Sequence, residues 1–242
     1  MELLKRRTQP QRERVRLRVG VFAHGALVDR ERVLDVSVRR DKASVAVRVR
    51  FREPATLRGV AVLSLEELVD GKRTRRAWRY DPQRRRVSRI AVPSQDERLG
   101  GTGLTWEGLR GEEPHRWRYT LVGEARLELK GDPAKGRKPV ARTVLHILAR
   151  PRADGAVRRL YLDREHKTPL LSESLDSKGR VVRRVRFWRY RRQGEAAGVR
   201  IWRAFSLSIH LPQSKRLSEV KLVERWGAVP SYHFDPDRFG NE

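Results

Sequence analysis

Arginine is the side chain of this sequence best equipped for chemistry, and its chemistry is oxyanion recognition. A guanidinium presents a planar fork of N–H donors that matches phosphate or carboxylate and keeps its charge at physiological pH. Arg84, Arg85, Arg86 and Arg89 cluster just before a polar, glycine-rich stretch at 91–103 and are candidates for docking on anionic headgroups or an acidic partner. Proton-transfer and metal chemistry find less support. The histidines (His24, His115, His146, His166, His210 and His233) lie far apart, with no H-x-H or H-x-x-x-H pair to place two ligands on one element. There is no cysteine, which excludes disulfides, thiol nucleophiles, thiolate-bound zinc and iron–sulfur clusters. No G-x-S-x-G, P-loop or dinucleotide fingerprint occurs. The expectation is a protein without catalysis, metal or cofactor.

The arginines belong to strands. Arg14-Val15-Arg16-Leu17-Arg18-Val19 alternates basic and apolar, as do Val45-Ala46-Val47-Arg48-Val49-Arg50-Phe51-Arg52 and Val181-Val182-Arg183-Arg184-Val185-Arg186-Phe187. Successive side chains of a strand point to opposite faces, so each run builds one apolar and one cationic face. Val15, Leu17 and Val19 share a face in the first run, and Val47, Val49 and Phe51 in the second. These faces fill an ordinary core or line an apolar cavity. The arginine face reads as solvated wall whose stems cover neighbouring apolar surface.

The formal charge of +26, from 56 Lys and Arg against 30 Asp and Glu, predicts salt-sensitive attraction to polyanions: nucleic acid, an anionic membrane surface or acidic headgroups. No helix-turn-helix, zinc-finger, RRM or KH signature accompanies it, so nucleic-acid binding stands as an alternative resting on charge alone. No apolar run approaches the ~20 residues of a membrane helix. The opening Met1-Glu2-Leu3-Leu4-Lys5-Arg6-Arg7 lacks the apolar core of a signal peptide. The expectation is therefore a cytoplasmic protein if the chain is complete, or numbering that starts after a removed signal.

Strands are predicted at 12–22, 32–40, 44–52, 60–65, 78–80 and 87–90, then at 117–127, 140–150, 157–163, 169–175, 180–190, 199–211 and 217–226. Gly25, Asp70-Gly71, Asp154-Gly155 and Asp176-Ser177-Lys178-Gly179 mark the turns. Residues 1–11 read as an arm or short helix. Leu104–Leu109 reads as one helical turn capped by Thr105, giving a loop-helix over 91–110. The fold class is mainly β, one large antiparallel sheet of roughly 11–12 strands in a single domain, 1–242.

Several segments resemble the outer-membrane lipoprotein-sorting proteins, relatives of the periplasmic carrier LolA, and in particular the subgroup found alongside RND-type exporters. The resemblance runs through Arg50-Phe51-Arg52-Glu53-Pro54-Ala55, Arg58-Gly59-Val60-Ala61-Val62 and Trp78-Arg79-Tyr80-Asp81-Pro82. It continues in Arg85-Arg86-Val87-Ser88-Arg89-Ile90, Gly101-Thr102-Gly103-Leu104-Thr105-Trp106-Glu107-Gly108-Leu109 and Phe234-Asp235-Pro236-Asp237-Arg238-Phe239. It thus covers nearly the whole chain in order. Gly103 and Gly108 depart from it, standing where relatives often carry Asp.

The resemblance implies an incomplete, half-open β-barrel with short helices plugging the open side, and an apolar cavity for acyl chains. On that basis Val15, Leu17, Val19, Val47, Val49, Phe51, Val60, Val62, Trp78, Tyr80, Leu104 and Trp106 are the candidate cavity residues, with 91–110 as a lid. It also implies a periplasmic, monomeric, non-enzymatic carrier of lipid or lipoprotein acyl chains. Its partners would be an RND-type exporter or other envelope protein and the anionic membrane surface. The alternatives are a polyanion-binding module and a ligand-free structural subunit of an envelope complex.

Overall fold

The computed structural model describes residues 12–41, 43–70, 72–94, 96–111, 116–132, 137–153, 155–196, 199–226 and 229–239. The arm expected over 1–11 and His115 lie outside them. The chain folds as two compact units, one of residues 9–112 with 220–242 and one holding 113–219.

The first unit carries β1 (Arg12–Ala23), β2 (Ala26–Leu27), β3 (Arg32–Arg40), β4 (Ser44–Glu53), β5 (Ala61–Val69), β6 (Lys72–Asp81) and β7 (Arg86–Ile90). It also carries the one-turn helix α1 (Trp106–Arg110). The second unit carries β8 (Trp117–Leu129), β9 (Val140–Pro151), β10 (Val157–Asp163), β11 (Pro169–Leu175), β12 (Val181–Ala196) and β13 (Val199–Leu211). The last strand is β14 (Arg216–Trp226).

Hydrogen bonding orders the strands β7-β6-β5-β4-β3-β1-β14-β13-β12-β11-β10-β9-β8, with β2 paired to β1, in one 14-stranded sheet. Among the described residues β7 and β8 stand at the two ends of this order, so the large antiparallel sheet is open. The rough total of 11–12 undercounts even the thirteen segments located in the sequence, all of which form strands; the fourteenth is β2, a two-residue strand. It forms where His24 and Gly25, both at positive φ, reverse the chain so that Phe22 pairs with Leu27. β6 is also longer than predicted, because the polar run from Lys72 pairs with β5 although it carries no apolar pattern.

Register in the first unit lines up rows across strands. Val15, Val36, Val49 and Val62 form one, and Leu17, Leu34 and Phe51 another. On this first face the side chains are mostly buried, with Val19, Leu34 and Val49 at 0% exposure. β3 is buried on both faces, its polar Asp35 and Ser37 included. β5 is largely buried on both faces from Ala61 to Glu66, where Arg110 of α1 reaches Glu66 on the first face and the C-terminal segment covers the second. Ala46, Ala61, Leu63 and Leu65 of the second face pack with Val229, Phe234 and Phe239.

Candidate functional site

The first face owes its apolar character to the alternating residues of β1, β3 and β4, and the segment over it owes its position to a short cap. Thr105 is extended and its Oγ1 accepts a hydrogen bond from the Gly108 amide at 3.2 Å, which starts α1 where the sequence predicts. α1 packs against β3 and β4. Leu99, Leu104, Trp106 and Leu109 are all buried. Gly100, at φ 53°, brings its backbone against the ring of Phe51; a Cβ there would stand 3.2 Å from the ring, so only glycine fits without displacement.

Polar anchors hold this segment down. Glu66, 1% exposed on the first face, accepts from Arg110 (4% exposed) at 2.8 Å and from Arg73 at 2.8 Å, with Arg75 at 3.5 Å. Arg40 donates to the Arg110 carbonyl at 2.9 Å. Sequence reasoning missed Glu66 and Arg110. The available signal was a carboxylate at the inward-facing parity of an apolar strand, four residues after Val62.

The predicted cavity residues divide between the two faces. Val15, Leu17, Val19, Val47, Val49, Phe51 and Val62 lie on the first face, with Val60 at the entry to β5, and Leu104 and Trp106 are buried in the segment above. Trp78 and Tyr80 do not join them. Trp78 pairs with Leu63 and Tyr80 with Ala61, so both point to the second face, against the core that Phe234 and Phe239 complete. Assigning them to one cavity with Val62 is corrected by parity: β5 is apolar on both sides, so hydrophobicity alone cannot tell which side an aromatic neighbour joins.

The cationic face also departs from a simple solvated wall. Asp35, 4% exposed, accepts from Arg14 at 3.0 Å, from Arg16 Nε at 2.8 Å and from Arg52 at 2.7 Å. Arg48 is buried, contacts His233 Nδ1 at 2.9 Å and stacks over Phe239 at 5.6 Å. The expected docking arginines sit on the β6–β7 hairpin. Arg84, Arg85, Arg86 and Arg89 are all exposed, and among the described residues none forms an ion pair. Arg86 pairs with Asp81 and Arg89 with Trp78, so these two leave opposite faces of β7.

A family model described as "Uncharacterized protein" matches residues 44–224, most of the chain. The chain belongs to that family. No curated protein matches it in sequence. Solved structures share its fold over almost the full length. One described as an outer membrane lipoprotein-sorting protein domain from Vibrio parahaemolyticus has a TM-score of 0.76 at 17% identity, covering 99% of this chain and 95% of its own. A DUF1329 family protein from Desulfovibrio piger reaches 0.75 at 15% identity, over 97% and 95%. A LolA superfamily protein from Nitrosomonas europaea reaches 0.65 at 16% identity, over 98% and 96%. The chain therefore shares the fold of these proteins and is LolA-like in architecture.

Proposed function

We propose that this protein is a non-enzymatic periplasmic carrier that takes up acyl chains of lipid or lipoprotein and hands them between envelope components. The observation that carries the reading is the apolar face of β1, β3 and β4 beneath a short segment held by a few polar anchors. Entry of an acyl chain would replace the sheet contacts of Leu104, Trp106 and Leu109 by contacts with the ligand beneath them. Each buried methylene contributes about 0.8 kcal/mol, enough for a partly enclosed chain to bind. Arg84, Arg85, Arg86 and Arg89 would meet anionic headgroups or an acidic partner, an RND-type exporter among them.

Native mass spectrometry of protein purified from cells, followed by lipid extraction, tests the reading. Co-purifying lipid, and displacement of a fluorescent fatty acid by it, is the expected result. Protein that carries no lipid and takes up no probe overturns it. A Trp106→Ala variant should change probe affinity several-fold while leaving the strand signal in circular dichroism intact.

A further inference from the structure

The second unit holds a cavity of about 440 Å³ whose charge is unbalanced. Its floor is a square on adjacent strands: Arg184 lies opposite His210 and Arg186 opposite Ser208 across the β12–β13 pair. Trp188 and Leu217 add apolar wall, and the turn that leads out of β8 supplies Lys130 and Asp132. Arg137, buried and stacked over Trp188 at 5.4 Å, also lines the cavity.

Four cations (Lys130, Arg137, Arg184 and Arg186) line this space against the two carboxylates Asp132 and Glu219. Much of that charge is already committed. Arg137 forms a buried ion pair with Glu219. Arg184 places its Nε 2.8 Å from Glu173, leaving its terminal nitrogens out of that contact. Arg186 has no hydrogen-bonded or ion-paired carboxylate among the described residues. Burial, and then Arg184, works against its charge, and burial with both arginines holds His210 below the usual imidazole range. An anion in the square would offset the repulsion between the two arginines and favour the charged forms of Arg186 and His210.

We propose that this cavity is an oxyanion-binding site in which Arg184 and Arg186 grip a phosphate or carboxylate group beside Ser208 and His210. Arg184 and Arg186, two residues apart on one strand face and lining the same cavity, offer two forks of N–H donors, the chemistry that suits a tetrahedral or planar oxyanion. The space exceeds what a free phosphate fills, and Trp188 belongs to an apolar cluster with Leu127, Leu129, Val144, Leu170 and Leu171. The same chemistry therefore serves a free anion or the headgroup of an amphiphile. The site is distinct from the acyl-binding face proposed above, which belongs to the other unit.

The test is titration of the full chain with inorganic phosphate, decyl phosphate and decanol, by calorimetry and by the NMR signal of His210. The expected result is saturable phosphate binding that raises the His210 pKa and weakens at least tenfold in Arg186→Gln, the loss of a charge-assisted hydrogen bond. Replacing Arg84 and Arg85 by Gln should leave the His210 response unchanged. Decyl phosphate binding far more tightly than phosphate identifies a headgroup; equal binding identifies the free anion. A His210 signal unmoved by either phosphate overturns the site, as does decanol acting as strongly as decyl phosphate, or a folded Arg186→Gln variant that titrates like the parent. The wild-type His210 response decides the question should that variant fail to fold. Probe uptake that responds to Trp106→Ala reads the acyl face, and the His210 response that depends on Arg186 reads this cavity, so failure of one proposal leaves the other visible.

Discussion

Asp35 is a carboxylate at 4% exposure in the middle of a strand, and it is tolerated there because Arg14, Arg16 and Arg52 converge on it. Burial alone would push its carboxyl up. Hydrogen bonds from Arg16, Arg52 and Arg14 overcome that and hold it below the usual carboxylate range. A carboxyl lowered in the folded state contributes stability that is fully present above its unfolded value of about 3.9 and fades as pH falls through the folded one. Asp35→Asn should therefore cost roughly 2–4 kcal/mol at neutral pH, since it leaves three guanidinium groups around a neutral side chain. Urea titrations from pH 7 down to about pH 2 should show the gap between parent and variant closing below about pH 4. A gap that stays constant across that range would mean the carboxylate's charge contributes nothing. Asp163 shifts in the same direction, with burial again opposing it and His166 and Arg142 prevailing, so the Asp35→Asn variant retains some acid sensitivity from the second unit.

The covering segment with α1 is too short to be stable by itself, because five helical residues cannot offset the cost of nucleating a helix. It is held by what it buries and by Glu66. Glu66→Gln removes the charge facing a buried Arg110, a change that typically costs about 3–5 kcal/mol when a buried pair loses one partner. Hydrogen exchange should then accelerate at the Leu109 and Gly111 amides while the amides of β3 and β4 keep their protection. Uniform acceleration through both strands would show that the segment and sheet open together. Much of this element was legible in the sequence: Thr105 ahead of Trp106 announces a cap, and the alternation through Val45–Arg52 announces β4 and its two faces. Its anchor was not legible, since pairing Glu66 with Arg110 depends on a register and a packing that span 44 residues of chain. The same limit separated Trp78 and Tyr80 from Val62. Alternation tells which residues share a face within one strand, while relating faces between strands needs the hydrogen-bonded register. The oxyanion square of β12 and β13 stayed hidden for that reason as well, because Arg184 and Arg186 look like any other pair in a basic strand until His210 and Ser208 are set opposite them.

At the scale of the whole molecule the excess of 56 cationic over 30 acidic side chains remains large after the internal pairs are formed, and it has to act on the surroundings. Interactions among exposed charges fade beyond about 8 Å at physiological ionic strength, so placement matters as well as total. The β6–β7 hairpin concentrates Arg84, Arg85, Arg86 and Arg89 at an edge of the sheet. A basic residue near an anionic leaflet contributes about 1 kcal/mol. Arg86 and Arg89 leave opposite faces, so one flat surface engages about three of the four, and replacing all four by Gln should lower partition onto phosphatidylglycerol vesicles by about a hundredfold at low salt. The control removes the same charge elsewhere, at exposed Arg30, Arg118, Arg150 and Arg152. Co-sedimentation across a sodium chloride series separates the two explanations. If the hairpin is the docking element, the hairpin variant falls well below the control and shows a shallower salt dependence than the parent. If total charge alone governs attraction, both variants weaken equally, and the hairpin loses its claim to a docking role while the basic composition keeps its general one.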